Sequence, residues 1–258
     1  MKLIVLNDNA PGAVCSSEHG LSYLIKADKT ILFDTGSSDM FLKNAALLKL
    51  ELNAVDTVVL SHGHWDHGNG LKYLKNKTLI THPFSFQKKY RKKDQSYVGL
   101  NLSKKEASEK FNLITSKEPY QISEEITFLG QIPRINNFES KNTSFVLDNG
   151  TDDFVHDDSA LAIKTDNGLI VVSGCAHSGI CNIVDHAIKV TGIKNVYGVI
   201  GGFHLKMNNS QTKYTIDYLK KLNVEKIYPS HCTALPALSA FHQTFNTKQV
   251  LSGDIIYF

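Results

Sequence analysis

Four stretches of strand-forming residues run out within a few positions of a histidine: "VDTVVL" before His62, "LIVVSG" before His177, "NVYGVIGG" before His204 and "VEKIYPS" before His231. Side chains at the carboxyl ends of separate strands converge while the backbone beneath them stays rigid, so histidines scattered through the chain can form one site. A fold that uses all four must bring these strand ends to one edge. The surrounding pattern indicates how. "LSYLIKADKTILFDTG" reads as two strands around a polar turn, ending in Asp34 and Gly36, and a helix is expected from about Ser38 in "DMFLKNAALLKL". The second half repeats this order. "SALAIKTDNGLIVVSGCAH" reads as a hairpin over Asp166, Asn167 and Gly168, followed by a helix at "ICNIVDHAIKV" and another at "QTKYTIDYLKKL". Two similar halves predict an α+β fold over residues 1–258 as a single domain: two sheets face to face with helices outside, an αββα sandwich.

Residues 83–154 break that order with the lysine-rich "QKKYRKKDQ", a helix-like "SKKEASEKFNLI" and "EITFLGQIPRINNFE". This segment is expected to be an insertion over the strand ends, a lid or substrate-recognition element, with a solvated surface excursion as the alternative.

The stretch "SHGHWDHGNG" places His62, His64, Asp66 and His67 within six positions. In extended backbone, residues two apart point the same way, so His62 and His64 can offer ring nitrogens to one cation, with Gly63 relieving the close approach. Asp66 and His67 lie beyond a turn and aim toward a second cation, and a helix is expected to begin at "LKYLKN". The first cation would take His62, His64 and His177, and the second Asp66, His67 and His231. Imidazole with carboxylate suits zinc first, with iron or manganese as alternatives, whereas magnesium favours oxygen ligands. Two such ions about 3.5–4 Å apart supply a nucleophile at neutral pH, because zinc lowers the pKa of its water to about 7. Asp66 and His204 are the candidate catalytic groups. Asp34 is a candidate acceptor that would fix the tautomer of a ligand histidine, with a turn or capping role as the alternative. Cys175 is either a ligand or a buried structural thiol, and Asp158 either a ligand or a turn residue. Arg134 would clamp a phosphate or carboxylate of the substrate, or else pair with Glu139, and His204 could also touch the substrate. His186 and His242 are expected at the surface.

Composition narrows the partners. The net charge of +3, from 28 basic and 25 acidic residues, makes nucleic acid an unlikely default and a small-molecule substrate the expected one. Four cysteines without disulfide-scaffold spacing point to a reducing compartment, and the opening apolar run is too short for a leader or membrane span. The reading is a cytoplasmic protein with no membrane partner; its oligomeric state is not written in the sequence.

"ILFDTG", "SHGHWDHGNG" and the strand-end histidines together resemble the metallo-β-lactamase superfamily. Further segments, "EHGLSYLI", "GQIPRINNFE", "DDSALAI", "SGCAHSGICNI", "GGFHL" and "HCT", are similar to the group labelled 7,8-dihydropterin-6-methyl-4-(β-D-ribofuranosyl)aminobenzene-5'-phosphate synthase. The resemblance covers most of the chain and implies a mono- or dinuclear metal site at one edge of the sandwich. It implies carbon–nitrogen bond formation with loss of diphosphate, within a broader expectation of a metal-dependent hydrolase or transferase of a phosphorylated or anionic substrate. Alternatives are a nuclease or phosphodiesterase of the same superfamily, favoured by "KKYRKK", iron redox chemistry, and a metal-binding sensor without catalysis. Two departures stand out: Cys175 occupies a place where many superfamily members carry a bridging aspartate, and Ala234 follows "HCT" where the group is expected to carry glycine.

Overall fold

Alternation along the strands decides the architecture. In the computed structural model, which describes residues 1–258, Leu3 and Val5 face one buried layer while Ile4 and Leu6 face another. Likewise Leu161, Ile163, Ile170 and Val172 point to the first of those layers, and Ala160, Ala162, Leu169 and Val171 to a third. Sheets buried on both faces must be covered on both. The result is an αββα sandwich: one core between the sheets and one under the helices of each side.

The first half comprises strands β1 (Lys2–Asn7), β2 (Ser22–Lys26) and β3 (Thr30–Phe33), helix α1 (Met40–Leu47), β4 (Thr57–Val59), the one-turn helix α2 (Trp65–Gly68) and β5 (Thr78–Thr81). The middle contributes β6 (Lys89–Arg91), α3 (Lys104–Lys110), β7 (Asn112–Thr115), β8 (Tyr120–Gln121), β9 (Ile126–Phe128), β10 (Phe145–Leu147) and β11 (Asp152–Asp153). The second half runs β12 (Ala160–Thr165), β13 (Gly168–Ser173), α4 (Ile180–Thr191), β14 (Val196–Gly202), α5 (Ser210–Lys221), β15 (Lys226–Ser230), α6 (Leu235–Phe245) and β16 (Ile255–Tyr257).

The seven-stranded sheet has the order β16-β1-β2-β3-β4-β5-β7 and the six-stranded sheet β15-β14-β13-β12-β9-β8. Strands β3, β4, β5 and β7 are mutually parallel, as are β13, β14 and β15. Parallel neighbours end on the same side, which is what gathers the histidine-bearing strand ends. Within residues 83–154, β7 and β9 belong to the two main sheets; only β6, β10 and β11 form a separate three-stranded sheet, in the order β11-β10-β6. Two local expectations need correction. The helix expected at "LKYLKN" is a short 3-10 turn, Asn69–Tyr73, since Gly68 and Gly70 weaken an α-helix there. "SKKEASEKFNLI" is helical only to Lys110, after which Asn112–Thr115 pairs with β5; a Ser103–Glu106 capping box fixes the helix start.

Candidate metal centre

After β4 the chain bends at His62 and Gly63, and an extended His64 (φ −91°, ψ 147°) leads into α2. The bend brings the two rings together, with His62 Nε2 3.0 Å from His64 Nδ1. The His177 ring stands 4.9 Å from that of His62 and 4.8 Å from that of His64, centroid to centroid. Asp66 and His67, carried round by the helical turn, face His231: His67 Nε2 lies 3.0 Å from His231 Nε2, and Asp66 Oδ2 lies 3.4 Å from the same atom. In each triad, His62/His64/His177 and Asp66/His67/His231, one donor atom per residue lies within 4.8 Å of the other two. The triads adjoin, since the His62 and His67 rings are 4.3 Å apart. Gly63 sits so close to the neighbouring backbone that a Cβ there would fall 1.8 Å from the Ser85 carbonyl oxygen.

Hydrogen bonds set which nitrogen of each ring is bare. Asp34 Oδ2 accepts from His67 Nδ1 at 2.7 Å and from Ser61 Oγ at 2.7 Å, and Ser61 Oγ lies 2.9 Å from His62 Nδ1. One aspartate thus orients a ring in each triad. Asn9 Oδ1 faces His231 Nδ1 at 3.0 Å and, by accepting its proton, leaves Nε2 as a lone pair. With Asp34 and Asn9 accepting from Nδ1, the neutral rings of His67 and His231 turn their Nε2 lone pairs toward one another, an arrangement that a shared cation in place of a proton stabilises. His177 Nε2 is buried with no partner, a second sign of a missing positive centre.

Burial holds His62 and His177 well below the ordinary histidine range and His64 at about 3, so all three stay in the neutral, ligand-competent form. His67 behaves oppositely: burial lowers it, but the charges of Asp34 and Asp66 outweigh that and raise it. The same negative charge that holds a proton there attracts a metal ion. Burial raises Asp66, yet His67, His19 and His231 bring it well below the carboxylate range.

Strand ends aim these groups by leaving the β region abruptly. Asp34 (φ 55°), Ala176 (φ 53°), His204 (φ 52°) and His231 (φ 49°) follow β3, β13, β14 and β15 in left-handed conformation. Such conformations cost roughly 1–3 kcal/mol each and concentrate at functional sites.

The remaining sequence candidates divide. His204 stands beside His177, with ring centroids 4.4 Å apart, and lines the cleft in front of the triads. Burial and Lys206 lower it to about 4. Cys175 Sγ is 3.3 Å from His67 Nε2, next to Cys232, whose thiol donates to the Cys175 carbonyl oxygen. Asp158 Oδ2 accepts from the Ser178 amide and hydroxyl, while its Oδ1 is buried without a partner. Arg134, expected to clamp substrate or pair with Glu139, is not paired with Glu139. Its donors go to Ser140 Oγ, the Phe154 and Val155 carbonyl oxygens and the His156 ring, while Glu139 caps α4 by accepting from the Cys181 and Asn182 amides. His186 is half-buried on α4, with Nε2 3.1 Å from the Leu129 carbonyl oxygen, while His242 is exposed as expected. Ala234 adopts φ −79° as the N-cap of α6, so no glycine is required there.

Sequence reasoning missed several neighbours. Asn9 and Asp8 follow β1, and Asp8 Oδ1 accepts from the His231 amide at 3.0 Å; extending the strand-end rule beyond histidine would have found them. His19 Nε2 lies 3.1 Å from Asp66 Oδ2. Arg91 and Lys206 are the cations lining the cleft of about 130 Å³ in front of the triads, and with Lys92 and Lys93 they also line an adjoining space of about 690 Å³ that touches Phe145 and His204. Phe145 closes over the first triad, its ring 4.6 Å from that of His64.

The metallo-beta-lactamase superfamily model matches residues 18–231. The chain is 38% identical to the 7,8-dihydropterin-6-methyl-4-(beta-D-ribofuranosyl)-aminobenzene-5'-phosphate synthase of Methanocaldococcus jannaschii, covering 94% of this chain and 90% of that one. It is 36% identical to an uncharacterised protein of the same organism over 98% of both chains. Among solved structures it is similar to Tm1679, described as a metal-dependent hydrolase of the beta-lactamase superfamily, with a TM-score of 0.90, 30% identity and coverage of 100% of this chain and 99% of that one. The fold, the family match and the enzyme-named relative together show that this chain belongs to the metallo-β-lactamase superfamily and is an enzyme of it.

Proposed function

We propose that the chain is a metal-dependent hydrolase or transferase acting on a small phosphorylated or anionic substrate, with two divalent cations, zinc foremost, held by His62, His64 and His177 and by Asp66, His67 and His231. The observation that carries the reading is the close approach of the Nε2 atoms of His67 and His231, 3.0 Å apart with Asp66 beside them, next to a second three-histidine set. Bound there, the cations would activate water at neutral pH and stabilise negative charge on attacking and leaving oxygens.

The chain's own groups do the rest. Asp34 and Asn9 keep Nδ1 of His67 and His231 occupied, fixing the donor atoms. His204, neutral and at the cleft, is placed to donate a hydrogen bond to a substrate oxygen. Arg91 and Lys206, rather than Arg134, are the cations facing the cleft, and they support an anionic substrate. The β6-β10-β11 sheet, with Phe145 over His64, serves as the substrate-recognition element and shields the first triad. The name of the 38% identical relative supports a dihydropterin-related synthase as the finer reading. The free cysteines support a reducing compartment, and no helix is long and apolar enough to cross a membrane.

Elemental analysis of purified protein, with a screen of phosphomonoesters, phosphodiesters, lactones and thioesters, tests this reading. Wild type should carry about two metal equivalents and His62→Ala about one, with activity lost. Metal content unchanged by His62→Ala would refute the ligand assignment. A nuclease would instead show binding to polynucleotide that falls steeply with salt.

A further inference from the structure

Resting on that metal assignment, we propose that Lys89 is a positioning residue for the first cation. It closes a ring of contacts that clamps His64 between two anchored amides and ties the three-stranded sheet to the metal-binding loop.

The ring runs in two directions from one residue. Lys89 Nζ donates to Asp157 Oδ1 at 2.6 Å, and Asp157 Oδ2 accepts from the Gly63 amide at 2.6 Å. In the other direction the Lys89 carbonyl oxygen accepts from the Val98 amide at 2.9 Å, and the Val98 carbonyl oxygen accepts from the Trp65 amide at 3.1 Å. Gly63 and Trp65 flank His64, so the amides of the residues on either side of it trace back to Lys89.

His64 and His177 are the ligand histidines whose rings no other protein group orients. Asp34 orients His67 directly and His62 through Ser61, and Asn9 orients His231. The His64 ring has no such partner: its Nε2 is buried and unbonded, and its Nδ1 meets only His62. Its aim therefore depends on its backbone. Lys89 has no exposed side-chain surface and also lies 3.7 Å from Asp153 Oδ2. A fully buried ammonium is tolerated only when paired, and the pairing leaves it little freedom to move. The clamp is stiffened on the far side, where Gly63 abuts the Ser85 backbone.

The test uses the full-length protein as wild type, Lys89→Met and Asp157→Asn, the last retaining an oxygen for the Gly63 amide. Metal-stripped samples are titrated with Co²⁺, following heat and the visible absorption of the ion, and amide hydrogen exchange is measured at Gly63 and Trp65. Lys89→Met should weaken one of two Co²⁺ sites by about 10–100-fold and leave the other in place. Exchange should accelerate most at Gly63, whose support runs through the Lys89 side chain, and less at Trp65, whose support runs through the Lys89 carbonyl oxygen that methionine keeps, but not at Gly202, whose amide bonds to Gly174. Asp157→Asn should shift both readouts in the same direction by less, and it carries the test if Lys89→Met does not fold. Two Co²⁺ sites of wild-type affinity and spectrum, with unchanged exchange at both amides, would overturn the proposal. Failure of wild type to bind Co²⁺ would overturn the metal assignment instead, while exchange at Gly63 and Trp65 would still support or refute the ring.

Discussion

The loop after β4 delivers His62, His64, Asp66 and His67 from one short segment, whereas the six-stranded sheet delivers His177, His204 and His231 singly, each past the end of a different strand. The loop is a network: Asp34 touches His67 and Ser61, Ser61 touches His62, and Lys89 holds the amides on either side of His64. The strand ends are separate devices. Ala176, His204 and His231 each sit in left-handed backbone at the end of a different strand. Clustered ligands share supports and fail together; dispersed ligands carry their own strain and fail alone.

The largest expected effect tests the shared support. Asp34→Ala removes the acceptor for both His67 and Ser61, so affinity at both metal positions should fall, each by about 10–100-fold, as read by calorimetry. In contrast, His177→Ala should empty only the first position and His231→Ala only the second, one equivalent each by elemental analysis. Loss of both metals from either single-histidine variant would break the distinction between network and separate devices.

Stability sharpens it next. Lys89→Met leaves Asp157 buried and uncompensated and should cost about 3–5 kcal/mol at neutral pH by denaturant unfolding. In wild type, burial raises Asp157, but Lys89 and the Gly63 amide outweigh it and hold the carboxyl below its ordinary 3.8. Its contribution is therefore full above 3.8 and is lost as pH falls through the lowered folded value. Without Lys89, burial dominates and the folded value rises, so the sign reverses. The cost of Lys89→Met should shrink on acidification from neutral pH, and a cost independent of pH would contradict the pairing.

A smaller effect concerns the cleft. Lys206→Met removes a cation facing the space in front of His204 and should raise KM for a phosphorylated substrate several-fold with kcat little changed, an effect that diminishes at high salt. The smallest concerns strain at a strand end. Ala176→Gly relieves left-handed backbone and should add about 0.5–1 kcal/mol, less than the intrinsic penalty because glycine also loosens the unfolded chain.

Much of this was legible in the sequence, for identifiable reasons. Period-two alternation with both faces apolar in "SALAIKT" and "GLIVVS" leads to a sheet covered on both sides, and the sandwich follows. The two groups were legible because the four residues crowd one loop whose chain turns after His64, although the loop bends at His62 and Gly63 rather than running extended as expected. Supports contributed by residues distant in sequence were not. Asn9 meets His231, and Lys89 meets Asp157, only through the folded arrangement. Lys89 was hidden further by its neighbours: in "QKKYRKKDQ" a lysine reads as solvated, yet Lys89 at the start of β6 is buried while Arg91 at its end is exposed. Arg134 misled in the opposite sense, because a charged side chain in a loop suggests a ligand clamp while its fork is occupied by the protein's own carbonyl oxygens. The helix expected at "LKYLKN" shows the limit of local propensity, since Asn69–Tyr73 closes as a short 3-10 turn.

The most direct measurement is an anomalous-scattering map at the zinc edge from crystals of the full-length protein grown with zinc. The account predicts two peaks, one within coordination distance of His62, His64 and His177 and the other of Asp66, His67 and His231. A map with no peak at either triad, or with peaks bound by other residues, would contradict it.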